Sequence, residues 1–225
     1  MSARDRILTK LRSRLSEGGT TEERRATVAE RLSNPRGRAP RPSQSLTEGE
    51  ARVEQFMAKA KAADATVSKI ASFDDLPAAL SEELRQRNMG QNVRMGSDPA
   101  LAGLDWGQMD VSVGKGRIEE PATLSVAPYA MAEIGTLGLC SGPDNPVTLT
   151  FLGETHFVAV RASDIHPGFE ELFAAHRASG RDPRTLNFVT GPSRSADIGQ
   201  KLQLGAHGPV ALHIFVVDDG ADTAS

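Results

Sequence analysis

The apolar residues at the start of the chain recur at helical spacing, which predicts two short amphipathic helices. The first covers residues 3–16 and carries leucine and isoleucine on one face, and a Gly-Gly pair follows it. The second begins at Thr20, which matches a capping box with Glu23. A linker rich in Pro, Gly, Arg and Ser then completes a predicted helical arm over residues 1–46. Because two such helices are weak alone in water, we expect them to dock on the body, on a second copy or on another protein.

From residue 47 onward, short helical patterns alternate with mostly aliphatic strand patterns. Thr47 and Glu50 match a second capping box, and Pro167 suits the first turn of a later helix. The predicted strands are "ATVSKI", "NVRMG", "MDVSVG", "ATLSV", "GTLGLC", "VTLTFL", "HFVAV", "TLNFVT" and "VALHIFVVD". The predicted helices between them are "DDLPAALSEELRQR", "HPGFEELFAAHRA" and "SADIGQKLQ".

This alternation predicts an α/β fold for residues 47–219, with a mixed, mostly parallel open sheet between helices. We expect residues 220–225 to form a disordered tail. No internal repeat is visible in the sequence. The 225 residues are enough to bury a sizeable core without disulfides or metals.

The cysteine content limits the chemistry that the chain can perform alone. Cys140 is the single cysteine, so an intrachain disulfide is excluded and an iron–sulfur cluster or structural zinc is not expected. The histidines lack metal-ligand spacing, and we assign no metal. The first residues are charged and no apolar run approaches the ~20 residues of a membrane span, so we expect a cytoplasmic protein.

The charge is unevenly distributed along the chain. Residues 1–43 hold 11 Lys/Arg and 5 Asp/Glu, whereas the remaining residues hold 15 and 24. A basic arm can bind nucleic acid or an acidic partner. Because acidic residues interrupt the arm and no aromatics accompany it, the pattern favours a solvated helical arm over a nucleic-acid-binding one.

The most polar short stretch is "GPSRSADIGQKLQLGAHGP", residues 191–209, between a predicted strand and a helix starting near Ser195. In open α/β sheets, ligands lie beyond the carboxyl ends of strands, and helix N-termini offer unpaired N–H groups. Arg194 adds a planar fork for a carboxylate or phosphate, which predicts an anion site. In the alternative, Ser193 or Ser195 only caps the helix and Arg194 pairs internally with Asp197.

Two further residues are candidates for acid–base chemistry. His207 lies between glycines, where it could act as a general acid or base or could fix the turn. Glu133 follows an apolar run, so its carboxylate should face a cleft, bind backbone N–H groups or pair with Arg194. We predict that residues 191–198, Glu133 and His207 line one pocket beyond the strand ends.

Three stretches, taken in order, resemble the LUD-domain family: "AEIGT" at 132–136, "GPSRSADI" at 191–198 and "GAHGP" at 205–209. The usual pattern is Ala-Glu-Thr-Gly-Thr, then Gly-Pro-Ser-Arg-Thr-Ala-Asp-Ile-Glu, then Gly-(Val/Ala)-His-Gly-Pro. Ile134 and Gly199 depart from it by removing a hydroxyl and a charge, which can alter ligand specificity. The matching positions are Glu133, Gly135, Thr136, Gly191, Pro192, Ser193, Arg194, Asp197, His207, Gly208 and Pro209.

The resemblance implies a fold related to the sugar-phosphate isomerase and CoA-transferase superfamily. It also implies service in bacterial conversion of L-lactate to pyruvate, with no cofactor in this chain and iron–sulfur clusters on partner proteins. Glu133 and His207 are then the catalytic candidates. The candidate anion- or substrate-binding residues are Thr136, Gly191, Ser193, Arg194, Ser195, Asp197 and Gly208.

Two functions stay open from the sequence. In the first, the chain is a non-redox subunit that binds partner proteins and a small organic acid, and its N-terminal helices allow an oligomer. In the second, it is a stand-alone enzyme of that superfamily that acts on an anionic small molecule. The second rests on fold-level analogy, and fold does not fix function.

Overall fold

The computed structural model describes residues 2–16, 20–33, 42–194 and 205–218. The chain divides into two units, Met1–Arg41 and Pro42–Ser225. Four predicted features lie outside the described residues: the Gly-Gly break, most of the linker, the helix at 195–203 and the C-terminal tail. Within the described ranges, each helix is too short or too polar to span a lipid bilayer.

The smaller unit contains helices α1 (Ala3–Ser16) and α2 (Thr21–Ser33). The predicted capping box at the start of α2 is confirmed. The Glu23 N–H donates to Thr20 Oγ1 at 3.2 Å, and the Thr20 N–H donates to Glu23 Oε2 at 2.6 Å. Ile7, Leu11, Leu15, Val28 and Leu32 are exposed, and Leu8 is half-buried.

The larger unit contains ten strands and four more α-helices among its described residues. The helices are α3 (Gly49–Ala62), α4 (Leu76–Gln86), α5 (Val147–Phe151) and α6 (Phe169–Ala178). The strands are β1 (Thr66–Ile70), β2 (Asn92–Met95), β3 (Asp110–Val113), β4 (Ala122–Val126), β5 (Tyr129–Met131), β6 (Thr136–Cys140), β7 (Thr155–Arg161), β8 (Ile165–His166), β9 (Leu186–Val189) and β10 (Ala211–Val217).

Two sheets form the body of this unit. A six-stranded sheet has the order β1-β10-β7-β4-β2-β3, and all its strand pairs are parallel. A four-stranded sheet has the order β8-β5-β6-β9, in which β6 is antiparallel to both of its neighbours. The predicted α/β class with a mostly parallel sheet is confirmed. The second sheet was not predicted, because β5 and β8 have three and two residues and leave no strand pattern.

The central strands are buried on both faces, which explains their nearly continuous apolar runs. On one face, the α4 leucines pack against Phe157 and Phe215. On the other face, Val158 and Ile214 pack against α3 and the second sheet. Neighbouring residues of β7 therefore face different cores, as strand alternation requires.

Three local predictions are wrong. Residues 147–152 were predicted as a strand from their alternating β-branched residues, but Pro146 precedes a short helix there. The capping box at Thr47 does not form, since α3 begins at Gly49 and no side chain caps it. Pro167 precedes α6 instead of entering its first turn, because Gly168 occupies the N-cap position.

Candidate functional site

A cavity of about 200 Å³ lies where β9 and α5 end and where β7 and β10 begin. Hydroxyls, imidazoles and apolar side chains share its wall. The described residues that line it are Thr150, Phe151, His156, Phe188, Val189, Thr190, Gly191, Pro192, Ser193, His207, Gly208, Pro209 and Leu212.

Backbone hydrogen bonds bring two of the three motifs together at this cavity. The Ser193 N–H donates to the Pro209 carbonyl at 2.8 Å, and the Gly205 N–H donates to the Ser193 carbonyl at 3.4 Å. The Val210 N–H donates to the Glu154 carbonyl at 2.9 Å, which ties the loop to the start of β7. As a result, Gly191, Ser193, His207 and Gly208 share one wall, with the His207 side chain exposed.

The motif glycines hold this region against the end of α3. Gly191 and Gly135 have φ values of 70° and 71°, in the left-handed region that favours glycine. A Cβ on Gly191 would collide with the Ala63 carbonyl, and one on Gly135 would collide with the Ala60 backbone. Both motifs therefore depend on glycine for close approach as well as for conformation.

Thr136 connects the first motif to the cavity wall without entering it. Its hydroxyl lies 2.6 Å from the Thr190 hydroxyl, across the antiparallel pairing of β6 with β9. Thr190 itself lines the cavity. Thr136 is therefore placed to orient Thr190, and its predicted role in ligand binding stays a prediction.

Of the residues predicted to line one pocket (191–198, Glu133 and His207), residues 191–193 and His207 line this cavity, whereas Glu133 and Arg194 are not among its described lining residues. The Glu133 N–H donates to the Pro167 carbonyl at 3.1 Å, and its carboxylate lies beside Gly168. This location follows from the turn between β5 and β6, which directs the Glu133 carboxylate toward the loop before α6. An acid–base role for Glu133 stays a prediction, separate from this cavity.

Arg194 is held by internal partners, as the alternative interpretation allowed. Its Nη1 donates to the Val210 carbonyl at 2.8 Å, and its Nε lies 3.3 Å from the Asp64 carboxylate. The partner is thus Asp64, while the predicted partner Asp197 and the neighbouring Ser195 lie outside the described residues. Arg194 positions the loop where the sequence predicted a ligand contact.

The cavity does not lie where α/β sheets usually hold ligands. The sequence placed it beyond the carboxyl ends of the parallel strands. In the structure, it lies at the amino ends of β7 and β10 and at the carboxyl end of β9. The difference arises because β9 belongs to the second sheet, where antiparallel pairing reverses the strand ends.

His156 is a site residue that the sequence reasoning missed. It is fully buried, and its Nε2 lies 3.0 Å from Ser125 Oγ. Burial lowers the pKa of His156 to about 3, so the imidazole is neutral at physiological pH. The available signal was a polar residue opening the apolar strand "HFVAV", since buried polar groups need a partner.

The chemistry of the wall suits a small ligand with both polar and apolar parts. Thr150, Thr190 and Ser193 offer hydroxyls, while Phe151 and Phe188 offer apolar surface. None of its described lining residues is Asp, Glu, Lys or Arg, so no fixed carboxylate there repels an anion. At neutral pH, the wall can bind and orient a ligand through neutral hydrogen-bonding groups.

Cys140, the single cysteine of the chain, lacks the features of an activated nucleophile. Cys140 is buried at the end of β6, and burial raises the pKa of its thiol. A thiol in that state is a poor nucleophile. Among the described residues, no three His, Cys, Asp or Glu side chains are grouped so that they could hold a metal ion.

A second, more polar cavity of about 470 Å³ lies at the carboxyl ends of β4 and β7. The described residues of the three family-like stretches, 132–136, 191–194 and 205–209, are not among its lining residues. Its charged or titratable lining residues are Asp98, Tyr129, Asp144, Arg161, Asp164, His166 and Arg181.

The comparisons with known proteins agree on one group. A family model described as LUD domain matches residues 121–217. Lactate utilization protein C of Bacillus licheniformis is 30% identical over 164 residues, which cover 69% of this chain and 68% of that protein. The protein of the same name in Anoxybacillus flavithermus is 36% identical over 115 residues, which cover 49% of this chain and 51% of that protein.

A solved structure is similar in fold. It is a DUF162 family protein from Deinococcus radiodurans, with a TM-score of 0.59 and 24% sequence identity. The match covers 76% of this chain and 99% of that chain. At this identity, the likeness supports the fold.

Proposed function

Because this chain belongs to the LUD-domain family, in its lactate utilization protein C group, we propose that it serves L-lactate utilisation in the cytoplasm. The similarity to the Bacillus licheniformis protein carries this proposal, since it extends over 164 residues. The cavity supports it further, because the stretches at 191–193 and 205–209 that resemble the family motifs meet there. In this proposal, the cavity binds the small organic acid of the pathway.

The chain then acts as a non-redox subunit in the oxidation of L-lactate to pyruvate. Oxidation needs a redox centre, and an iron–sulfur cluster needs several thiolates. Cys140 alone cannot supply them, so we place the clusters on partner proteins. The exposed apolar residues of α1 and α2, such as Leu11 and Leu32, are candidates for the contact with those partners.

Growth of a deletion strain tests the proposed pathway. We expect the strain to grow on pyruvate but not on L-lactate as sole carbon source, because only the step before pyruvate is lost. The wild-type gene should restore growth on L-lactate. Normal growth of the deletion strain on L-lactate would refute the pathway assignment, and a defect on both carbon sources would point to a more general role.

The His207→Ala variant tests whether the cavity matters in the cell. His207 is exposed on the wall, so its removal should leave folding intact. We expect this variant to restore growth on L-lactate poorly, at wild-type protein levels. Full restoration would argue against a role for this side of the cavity.

Affinity capture from L-lactate-grown cells tests the subunit proposal. Iron and acid-labile sulfide should co-purify with the full chain in fixed proportion, and Leu11→Glu should reduce both. A chain that is captured without iron or sulfide would contradict the proposed iron–sulfur partners.

A second candidate function, a stand-alone enzyme acting on an anionic small molecule, rests on the polar cavity at the carboxyl ends of β4 and β7. That edge is where ligands usually bind in open α/β sheets, and Arg161 and Arg181 there could hold an anion. Turnover of a CoA thioester or a sugar phosphate by the purified chain, lost in Arg161→Ala, would favour this candidate. An absence of turnover by the purified chain would favour the subunit.

A further inference from the structure

Two buried polar atoms in the cavity wall have no hydrogen-bond partner in the part of the chain that the structure describes. His156 is 0% exposed and Thr150 is 1% exposed, and both residues line the cavity. Neither His156 Nδ1 nor Thr150 Oγ1 has a hydrogen-bond partner among the residues that the structure describes. Buried polar atoms in folded proteins are nearly always paired, so these two atoms at one cavity are candidate contacts for a bound molecule.

The surroundings of His156 fix its orientation. Ser125 contacts the Nε2 atom at 3.0 Å, on the neighbouring strand β4. This contact leaves Nδ1 as the ring atom available for another partner. A neutral imidazole can donate or accept at that atom, depending on the tautomer that Ser125 selects.

We propose that His156 and Thr150 recognise the α-hydroxyl group of a short hydroxy monocarboxylate, of which L-lactate is the example. This inference rests on the proposed function and adds the recognition residues and the ligand group they select. A hydroxyl both donates and accepts, so it can complete the hydrogen bonds of an imidazole nitrogen and a threonine hydroxyl together.

The size and composition of the cavity fit such a ligand. Its volume of about 200 Å³ is below the ~300–1,000 Å³ of pockets for drug-sized ligands. It corresponds to roughly six or seven water molecules at about 30 Å³ each. Phe151 and Leu212 provide apolar wall for a methyl group, and the described wall has no carboxylate that would repel the ligand's own.

Thr150→Val is the central variant because valine keeps the shape of threonine and removes only the hydroxyl. We expect the affinity of the full chain for L-lactate, measured by calorimetry, to fall roughly three- to tenfold. Because Thr150 Oγ1 has no partner among the described residues, the variant should be as stable as the wild type or more so in urea unfolding. If the Thr150 hydroxyl were merely structural, the variant would lose stability in urea and keep its affinity for L-lactate.

Thr148→Val is the matched control. Thr148 lies on the same short helix α5, and its Oγ1 is also unpaired among the described residues, but Thr148 lines a different cavity. This variant should leave the affinity for L-lactate unchanged. An equal loss in Thr148→Val and Thr150→Val would overturn the assignment of Thr150.

Propionate is the matched ligand because it is L-lactate without the hydroxyl. The wild type should bind L-lactate roughly tenfold more tightly than propionate, since a site built for a hydroxyl rejects the analogue that lacks it. In Thr150→Val, this preference should shrink. Equal binding of the two acids by the wild type would overturn the inference and would indicate that a buried water occupies the pair.

Two substitutions of His156 separate its two nitrogens. Asparagine places its amide near the position of Nδ1, whereas glutamine reaches the position of Nε2 and the contact with Ser125. We expect His156→Asn to retain the preference for L-lactate over propionate and His156→Gln to lose it. If His156→Asn lost this preference and His156→Gln retained it, Nδ1 of His156 would not be the atom that recognises the hydroxyl.

Failure of the inference and failure of the proposed function give different results. If the wild type binds no L-lactate while the deletion strain still fails to grow on it, the role in L-lactate utilisation stands and the recognition pair is wrong. If the wild type binds L-lactate with the expected preference but the deletion strain grows normally, the pair stands and the pathway assignment fails.

Discussion

His156 and His213 lie on the neighbouring strands β7 and β10, and they face opposite cores. Thr66 and Ser68 contact the two ring nitrogens of His213 at 2.8 and 3.0 Å. This histidine is a structural residue of the core, whereas one ring nitrogen of His156 has no partner among the described residues. Burial is the main reason that the pKa of each is lowered to about 3, with the Arg87 charge adding to the effect on His213.

The lowered pKa values of His156 and His213 predict that the protein loses stability in acid. In the unfolded chain a histidine has a pKa near 6.5, so below that pH the unfolded state binds more protons than the folded state. The free energy of unfolding should therefore be highest above pH 6.5 and fall as the pH decreases toward 3. For His156 alone, the loss between pH 7.5 and 4.5 is about 2–3 kcal/mol.

Urea unfolding of the wild type and His156→Asn over this pH range checks the assignment. The variant should show a weaker pH dependence, because asparagine does not titrate. If the free energy of unfolding depended on pH equally in both proteins, His156 would take up a proton as readily in the folded as in the unfolded state. That result would contradict its burial.

Gly135 gives a second prediction at the scale of single residues. Gly135→Ala should lower the free energy of unfolding by at least about 2 kcal/mol. The alanine would have an unfavourable φ, and its Cβ would collide with the Ala60 backbone. Gly180→Ala is the control, since Gly180 has a φ of 64° and an added Cβ there would meet no described atom within 4 Å. It should cost only about 1 kcal/mol. Equal losses would refute the close packing of Gly135 on α3.

The sequence identified the exposed part of this site better than its buried part. His207, Gly191 and Ser193 stand out because polar residues and glycines cluster outside the apolar runs. His156 and Thr150 lie inside apolar patterns, where a single polar residue usually has a structural partner. Their lack of a partner among the described residues becomes visible only in three dimensions.

At the scale of elements, the spacing of apolar residues and the local composition predicted most strands, but they also predicted a strand where a helix forms. β-Branched and other residues alternate over 147–151 as they would in a strand. These residues nevertheless form the helix α5, with Pro146 at its N-cap position. This error matters, because Thr150 and Phe151 reach the cavity from the end of that helix. The pattern of α4 was easier to interpret, since its leucines recur at helical spacing.

Helix α4 provides a test of the packing on the face of the six-stranded sheet that carries Phe157 and Phe215. Leu80→Ala should lower the free energy of unfolding by about 2–5 kcal/mol, because the Leu80 side chain is fully buried against the sheet. Glu82→Ala on the same helix removes exposed contacts, an ion pair with Arg85 and a hydrogen bond from Gln86, and should change stability by less than about 1 kcal/mol. A small effect of Leu80→Ala in urea unfolding would contradict the packing of α4 on this core.

At the scale of the whole molecule, the α/β class follows from the alternation of elements, but the site depends on topology. The six-stranded sheet pairs β1 with β10, two strands from opposite ends of the larger unit. The second sheet reverses the direction of β9, so its carboxyl end meets the amino ends of β7 and β10. No periodicity along the chain records this meeting of strand ends. The sequence therefore indicated the carboxyl end of β9 but not the amino ends of β7 and β10.

L-lactate is expected to bind where residues 191–193 and 205–209 meet. Titration of the isotope-labelled full chain with L-lactate, followed by amide chemical shifts in NMR, tests this binding most directly. The largest shifts should lie at Thr150, His156, Thr190, Gly191 and Ser193 and at residues 205–208, around the cavity of about 200 Å³. Shifts confined to Asp98, Arg161 and His166, which line the second cavity, or no shifts at all, would contradict the account.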